Sequence, residues 1–294
     1  MILVGCSGWS YEDWLGRFYP WELANKRGEW LRFYAEHFHT VEINSTFYRP
    51  PPPPMVRLWI KKAEGLEGFE YSLKMPRLVT HESMVQLDSQ TSATQAVSFE
   101  RMCVKELSAA ARMGACLLQL SPYFKKDSRS MAVLDATLEA LDTQAYHYAV
   151  EFRHRSWLGE EGKEIDPEAL DLLKRNKAAT VMVDGPGFPV IKATTAEHAY
   201  IRFHGRNYDI WFREEGEEDH RLNRYDYLYT KEQLWPWVPR IQEAARDHEK
   251  VRIYFNNHGR SKAVRNAFDL MDMLGIPHKA REIRLQDQYT LGNF

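Results

Sequence analysis

The chain has 294 residues, of which 44% are hydrophobic and 27% are charged, a composition typical of a globular protein with a sizeable core. Its 39 Lys and Arg against 41 Asp and Glu give a formal net charge of -2, which excludes a strong overall basic field for binding nucleic acid or anionic membranes. Its three cysteines, Cys6, Cys103 and Cys116, form no CxxC pair, so we expect neither a disulfide framework nor a cysteine zinc site.

Short runs rich in β-branched residues alternate with helical patterns, which predicts βα units and a parallel sheet. Eight strands are expected, at residues 2–7, 40–44, 70–75, 115–121, 147–153, 179–184, 199–204 and 251–256. Apolar residues at three- and four-residue spacing predict helices within 29–38, 54–65, 96–114, 128–141, 167–176, 231–248 and 261–275. Together they predict a single domain over residues 1–294, a (β/α)8 TIM-like barrel.

Three segments that connect predicted strands and helices have compositions that predict their structure. The Gly and Pro residues of segment 184–198, between the sixth and seventh strands, predict a loop in place of a helix. The five prolines at 50–54 predict a stiff entry into a helix, because proline is tolerated in a first helical turn. Segment 207–229 is long, charged and aromatic, which is typical of a lid or a ligand-binding loop.

Polar side chains occupy one face of each predicted strand toward its C-terminal end. Because the apolar face must meet the helices, the polar face is expected to point into the barrel, at the end where barrel enzymes place their active sites. The residues expected to point inward are Ser7, Glu42, Asn44, Lys74, Gln119, Glu151, Arg153, Asp184, Arg202, His204, Tyr254 and Asn256. A buried ion network that merely fills the barrel is the alternative, but the desolvation of its charges makes such a filling unfavourable. The pattern therefore favours a ligand site.

The residue types suggest roles within this site. Lys74, Arg153 and Arg202 are expected to bind a phosphate or carboxylate, since guanidinium groups match both anions. Candidates for proton transfer are Glu42, Glu151, Asp184 and His204. Further candidate ligand-binding residues are Trp9, Asn44, Tyr48, Gln119, Trp157 and Asn256. The hypothesis is an acid/base enzyme, of hydrolase or isomerase type, acting on a small polar or phosphorylated, sugar-like substrate.

Five motifs carry a resemblance to a known family. They are GCSGWSYEDWLGRFYP, TVEINSTFYRPP, VEFRHRSW, YIRFHGR and YFNNHGRSKAVRNA, which together span residues 5 to about 267. In this order they resemble the YecE-like family, catalogued as a domain of unknown function, number seventy-two. The resemblance implies a TIM-like barrel with a polar pocket and supplies no established substrate. It maps the family's recurrent polar positions onto Glu42, Asn44, Tyr48, Glu151, Arg153, Trp157, Arg202, His204 and Asn256.

A phosphodiesterase or nucleic-acid binding protein is the second hypothesis, by analogy of fold alone. Rim cations could contact phosphates, namely Arg155, Arg206, Arg213, Arg260 and Lys262. Aromatic residues could stack on bases, namely Trp9, Trp211 and Tyr208. The analogous barrels are metal-dependent, and the candidate ligands for a divalent metal here would be Glu42, Glu151, Asp184 and His204.

Two further hypotheses use the same pocket. Paired carboxylates, Glu42 and Glu151, could support glycoside hydrolysis, and a non-enzymatic ligand sensor needs no catalytic group at all.

We expect no cofactor, because GxGxxG, GxxxxGK[ST], HExxH and GxSxG are all absent. The expected partner is a small anionic molecule and not a membrane. Cysteine usage and the lack of a signal peptide or a long apolar run predict a cytoplasmic location.

Overall fold

Eight parallel strands close into a barrel in the computed structural model, which describes residues 1–191, 195–208, 225–279 and 281–283. The strands are β1 Ile2–Ser7, β2 Thr40–Ile43, β3 Glu70–Lys74, β4 Met113–Gln119, β5 His147–Glu151, β6 Ala179–Asp184, β7 His198–Phe203 and β8 Lys250–Phe255. Each strand pairs with its neighbours in the chain, and β8 closes the ring on β1, with Ile2 opposite Val251. The predicted TIM-like barrel is confirmed.

Helices surround the barrel. The α-helices are α1 Trp30–Ala35, α2 Ser45–Tyr48, α3 Pro53–Lys62, α4 Ser89–Phe99, α5 Lys105–Ala109, α6 Ser128–Glu139, α7 Pro167–Arg175, α8 Lys231–Leu234, α9 Trp237–Asp247 and α10 Lys262–Leu274. Two π-helical segments accompany them, Leu78–Ser83 and Glu100–Val104. Short 3-10 turns lie at Glu12–Trp14, Trp21–Leu23, Arg27–Glu29, Arg155–Trp157 and Gly259–Ser261. No helix in the described part of the chain is long and apolar enough to cross a membrane.

The predicted connections agree with the structure where it describes them. Helix α3 begins with two prolines in its first turn, as the proline run predicts. Helix α4 begins before the predicted segment because the Asp88 carboxylate accepts a hydrogen bond from the Thr91 amide and caps it. Between β6 and β7, the described residues 185–191 and 195–197 contain no helix, as predicted. Most of the predicted lid, residues 209–224, lies outside the described residues.

Alternation of side chains divides the buried residues into two cores. The larger core lies between the strands and the helices and includes Cys6, Val41, Leu73 and Ile201. The smaller one fills the middle of the barrel. Its members are Ala115, Leu117, Ala149, Ala179, Val181, Val183, Tyr200 and Tyr254, which we call the plug layer. Polar side chains lie above and below this layer, so the barrel is packed through its middle and polar at both ends.

Below the plug layer, at the N-terminal ends of the strands, lies a group that we call the floor cluster. Arg252 donates from Nε to Glu70 Oε1 at 2.5 Å and from Nη2 to Glu70 Oε2 at 3.2 Å. Lys250 Nζ is 3.2 Å from the same carboxylate. The rings of His147 and His198 stack with centroids 4.4 Å apart, and Arg252 Nη1 is 3.2 Å from His147 Nδ1.

Candidate active site at the barrel mouth

A cavity of about 350 Å³ lies at the C-terminal end of the strands, and we call it the polar pocket. Eight residues that were predicted to bind or act on a ligand line it: Asn44, Tyr48, Lys74, Gln119, Arg153, Arg202, His204 and Asn256. They come from six different strands or from the residues that follow them, which explains why no single motif contains the site. Strand alternation brings seven of them together, whereas Tyr48 lies at the end of α2.

Arg202 lies beneath the polar pocket and is 1% exposed. Its Nη2 donates to Glu42 Oε1 and its Nη1 donates to Glu151 Oε2, each at 2.7 Å. The same Nη1 is also 3.0 Å from Gln119 Oε1. One guanidinium group therefore holds two buried carboxylates from opposite sides of the barrel, and these charge-assisted bonds fix the position of all three side chains.

Glu42 is completely buried and receives three hydrogen bonds. Besides the bond from Arg202, Ser7 Oγ donates to Oε1 and the Tyr200 hydroxyl donates to Oε2, both at 2.7 Å. Burial acts to raise the pKa of Glu42, but the charge of Arg202 and the donated hydrogen bonds outweigh it and hold the pKa below its usual value. Glu42 is therefore ionised at neutral pH, and it does not line the cavity.

Glu151 is also completely buried. Its Oε1 accepts from Arg153 Nη1 at 3.0 Å and lies 3.2 Å from His204 Nε2. Burial opposes ionisation here as well, but the nearby positive charges, first that of Arg202, hold the pKa of Glu151 well below its usual value. Two of the three carboxylates predicted to move protons, Glu42 and Glu151, thus have lowered pKa values and are bonded to arginines.

Lys74 differs from the arginines of the site in its partner. Its ammonium group is 3.2 Å from the neutral amide oxygen of Gln119 and 3.9 Å from the centre of the Phe47 ring. Within the described residues, no carboxylate lies within 4.0 Å of it. Burial, together with the positive charge of Arg202, lowers the pKa of Lys74 from 10.5 to about 7. Lys74 is therefore the lysine on the pocket wall that changes charge near neutral pH.

A chain of hydrogen bonds runs along one wall of the polar pocket. The Asn256 amide donates to His204 Nδ1 at 3.0 Å, which leaves Nε2 as the protonated nitrogen that faces Glu151. The Asn44 amide donates in turn to Asn256 Oδ1 at 3.4 Å. Burial and the charge of Arg202 lower the pKa of His204 to about 4, so the ring is neutral at pH 7. The chain fixes the tautomer and orientation of His204.

Another wall of the polar pocket is aromatic and was not predicted from the sequence. Tyr11 and His258 stack with centroids 4.4 Å apart, and Tyr225 covers the other side of the imidazole at 5.1 Å. The Tyr11 hydroxyl donates to the Ser7 carbonyl at 2.6 Å. Gly8 has a φ of +101°, and a Cβ there would lie 2.5 Å from that hydroxyl, so this turn requires glycine. A signal existed, because Tyr11 and His258 both lie inside the motifs that carry the resemblance.

Asp184 does not lie in the polar pocket, so its predicted position is wrong. In β6 the apolar residues Val181 and Val183 point into the barrel, which turns Asp184 toward the helices. There it accepts hydrogen bonds from Arg206 Nη2 at 2.6 Å, from the Tyr229 hydroxyl at 2.9 Å and from Trp237 Nε1 at 2.9 Å. The rule that polar strand faces point inward fails at this strand because these partners satisfy the carboxylate on the outside.

The two predicted tryptophans also lie outside the polar pocket. Trp157 is fully buried, packs against Phe152 and Phe124, and donates from Nε1 to the Phe124 carbonyl at 2.8 Å. It fastens the loop after β5 and is not among the residues that line the polar pocket. Trp9 lines a neighbouring cavity that is described below.

The four candidate metal ligands are not assembled. Glu42 and Glu151 are bridged by the guanidinium of Arg202, and Asp184 belongs to a separate cluster on the other face of the sheet. Among the residues that the structure describes, no group of three or more His, Cys, Asp and Glu side chains is placed to hold a metal ion.

The rim cations proposed to contact phosphates are largely neutralised. Arg206 is paired with Asp184 at 2.6 Å, and Lys262 is paired with Asp226 at 2.8 Å. Arg260 lies 3.8 Å from the same Asp226 carboxylate. Arg155 is exposed, as is Tyr208. The remaining predicted rim residues, Arg213 and Trp211, lie outside the described residues.

A second cavity of about 630 Å³ adjoins the polar pocket, and we call it the apolar groove. It lies between the loop after β1 and the segment that joins α2 to α3. Trp9, Pro51, Met55 and Trp59 form much of its surface. Three residues line both cavities: Tyr11, Asn44 and Ser45.

Comparison with known proteins identifies the family. A family model described as "Protein of unknown function DUF72" matches residues 3–289. The chain belongs to the DUF72 family. It is 25% identical to the UPF0759 protein YunF of Bacillus subtilis over 295 residues, which covers 98% of this chain and 100% of the relative. It is 24% identical to the UPF0759 protein YecE of Escherichia coli over 260 residues, covering 78% of this chain and 86% of the relative.

Solved structures of DUF72 proteins share the barrel. A DUF72 family protein of Thermotoga maritima superposes with a TM-score of 0.79 at 32% identity, covering 94% of this chain and 99% of the other. A DUF72 family protein of Enterococcus faecalis superposes with a TM-score of 0.76 at 23% identity, covering 95% and 97%, and shows likeness of fold alone. The resemblance seen in the motifs is confirmed, and the family has no assigned substrate.

Proposed function

We propose that the polar pocket binds a small anionic polar molecule, such as a sugar phosphate or a polyol acid, and that the protein is an enzyme acting on it by acid/base chemistry. Lys74 and Arg153 bind the anion, and Lys74 exchanges a proton with the reacting molecule. The amides of Asn44, Gln119 and Asn256 orient hydroxyl groups.

The position of Lys74 is the observation that carries this proposal. Two carboxylates near the pocket are already bonded to Arg202 and Arg153, whereas the Lys74 ammonium has a neutral amide as its partner. The negative charges of Glu151 and Glu42 act on Lys74 without direct contact, and an anion in the pocket would pair with its ammonium group directly. A lysine with a pKa of about 7 is also matched to proton transfer at neutral pH.

The buried carboxylates have a positioning role in this mechanism. Glu42 and Glu151 hold Arg202 between them, and Glu151 orients Arg153 and His204 at the pocket wall. Their lowered pKa values make them poor proton donors at pH 7. Proton transfer is therefore assigned to Lys74, which lines the pocket, in place of the carboxylates favoured from the sequence.

The other hypotheses have less support. A glycoside hydrolase needs one carboxylic acid that stays protonated, and both candidate carboxylates have lowered pKa values. A metal-assisted phosphodiesterase needs ligands that converge, and Asp184 is turned away from the other three. A ligand sensor would use the same pocket, and only a measurement of turnover distinguishes it from an enzyme.

The experiment that tests this proposal is a search for turnover. Purified protein is incubated with a metabolite extract, and small anions are followed by mass spectrometry over time. We expect at least one anionic metabolite to be consumed by the wild-type protein and by Lys126→Met, and to persist with Lys74→Met. Lys126 is a suitable control because it is partly buried and pairs with Asp166 at 2.9 Å, away from the pocket.

Two results would contradict the proposal. Consumption of the same metabolite by Lys74→Met at the wild-type rate would remove Lys74 from the mechanism. Retention of an anion by the wild-type protein without any conversion would identify a binding protein and exclude the enzyme. Circular dichroism of each variant establishes that it is folded.

A further inference from the structure

The apolar groove and the polar pocket are two parts of one surface. Tyr11, Asn44 and Ser45 line both cavities, so a molecule whose charged end lies beside Lys74 can extend past these three residues into the groove. The polar pocket holds about 350 Å³ and the groove about 630 Å³. A sugar phosphate fills only the smaller of the two, which leaves most of the concave surface unused.

The groove offers mostly carbon to a ligand. Trp9 and Trp59 supply indole rings, Pro51 supplies a rigid apolar surface, and Met55 is 41% exposed on α3 and faces the groove. Tryptophan and methionine favour flat, polarisable groups such as aromatic rings, and rigid walls lose little entropy when a ring packs against them. Apart from Arg49, the residues that line the groove are uncharged, so the surface favours an apolar group over a fully hydroxylated chain.

Asn44, which lines both cavities, offers a hydrogen-bond acceptor at the boundary between the polar pocket and the apolar groove. The hydrogen bonds from Asn256 to His204 and from Asn44 to Asn256 orient the Asn44 amide, so that Oδ1 is the atom left over. This oxygen is buried and has no hydrogen-bond partner among the described residues. A buried acceptor without a partner is unfavourable, and a hydroxyl or N–H group on a ligand at this boundary would satisfy it.

We infer that the substrate of the DUF72 site carries an anionic group at one end and an aromatic or similarly flat apolar group at the other. This inference rests on the proposed function for the anionic end and extends it to the groove. The anion binds at Lys74, and the ring packs between Trp9, Met55 and Trp59. The ligand class is thus a small polar anion that also carries an aryl group.

Methyl sulfate and phenyl sulfate test this inference, because both are monoanions that do not titrate near neutral pH and they differ only in the apolar group. Their dissociation constants are measured by calorimetry at pH 6.5. We expect phenyl sulfate to bind at least about tenfold more tightly than methyl sulfate, since the ring removes more apolar surface from water.

Matched variants on α3 locate the effect. Met55 and Leu58 are both 41% exposed on the same helix, but only Met55 lines the groove. In Met55→Asp the ratio of the two affinities is expected to fall to within about twofold of one, whereas Leu58→Asp keeps the wild-type ratio. The affinity of each variant for methyl sulfate measures any effect of the added aspartate charge on the polar pocket.

The binding results distinguish failure of this inference from failure of the proposed anion site. Equal affinity for the two sulfates in the wild-type protein, with binding that depends on Lys74, would overturn the inference and leave the anion pocket in place. A ring preference that survives Met55→Asp would also overturn it, because the ring would then lie elsewhere. Failure of both sulfates to bind would overturn the proposed anion site and this inference together.

Discussion

The barrel has a charged cluster at each end, and the two are built from the same residue types. At the mouth, Arg202 joins Glu42 and Glu151, with His204 and Lys74 beside it. On the floor, Arg252 joins Glu70, with His147, His198 and Lys250 beside it. The pKa of His147 falls to about 4 through burial and the charge of Arg252, much as that of His204 falls through burial and Arg202.

The clusters differ in the surroundings of their lysines. Lys250 is paired with Glu70, and its side chain is 38% exposed, so water and a carboxylate share its charge. Lys74 is 9% exposed and has an amide as its hydrogen-bond partner, at the edge of a cavity. The same residue types therefore form a structural cluster at one end and line a cavity at the other. The surroundings of the lysine, an ion pair on the floor and a buried amide contact at the mouth, distinguish the candidate site.

Removing each central arginine tests how strongly the clusters depend on it, and this is the largest expected effect. Arg202→Met leaves two buried carboxylates without their shared cation, and we expect the free energy of unfolding at pH 8 to fall by about 3–5 kcal/mol. Arg252→Met leaves Glu70 with Lys250, and a smaller loss of about 1–3 kcal/mol is expected. Urea unfolding of both variants measures the difference.

The pH dependence of the Arg202 variant has a definite sign. In the wild-type protein the pKa values of Glu42 and Glu151 are lowered, so their stabilisation is complete above the unfolded pKa and is lost only as the pH falls below it. Without Arg202, burial raises both pKa values above the unfolded value, and the variant becomes more stable as the pH falls. The loss of unfolding free energy caused by Arg202→Met should therefore be smaller at pH 5 than at pH 8. An equal deficit at both values would contradict this account of the carboxylates.

Replacing Lys74 or Lys250 by methionine should change the free energy of unfolding in opposite directions. Because the folded pKa of Lys74, about 7, lies below its unfolded value, its protonation opposes folding most strongly at and below pH 7. We expect Lys74→Met to raise the free energy of unfolding at pH 6 by about 1–3 kcal/mol, and by less at pH 9. Lys250→Met loses an ion pair whose lysine is partly exposed, and Arg252 still holds the Glu70 carboxylate, so the loss should be no more than about 1 kcal/mol. Destabilisation by Lys74→Met would mean that its charge is already compensated.

The smallest expected effect concerns His204. Asn256 donates to Nδ1 and so favours the neutral ring. Asn256→Asp replaces this donor with a charged acceptor, and we expect the pKa of His204 to rise from about 4 by at least about one unit. Nuclear magnetic resonance of labelled histidine rings measures the shift, with His147 on the floor as the internal control. An unchanged His204 pKa would show that Asn256 does not bond to Nδ1.

The alternation of side chains along the strands made much of the site predictable from the sequence. Residues such as Glu42, Glu151, Arg202 and His204 sit opposite apolar neighbours, so parity alone placed them inside the barrel. Asp184 broke the rule because its partners, Arg206, Tyr229 and Trp237, come from distant segments whose approach cannot be read locally.

Contacts between loops were also beyond the reach of the sequence. Tyr11 and His258 are 247 positions apart and stack only because β1 and β8 are neighbours in the closed barrel. Trp157 belongs to a specific motif, but a motif does not say which way a tryptophan points, and this one fills the outer core. The barrel follows from periodicity, whereas the aromatic wall and the groove follow from tertiary contacts.

Proton uptake on anion binding tests whether Lys74 makes the mouth an anion site. Sulfate is titrated calorimetrically at pH 7 in buffers of low and high ionisation enthalpy, with wild-type protein, Lys74→Met and Lys250→Met. An anion beside Lys74 raises its pKa, so binding should take up about half a proton in the wild-type protein and in Lys250→Met. Lys74→Met should show neither proton uptake nor wild-type affinity. Sulfate binding of equal strength in Lys74→Met, or no sulfate binding by the wild-type protein, would contradict the claim.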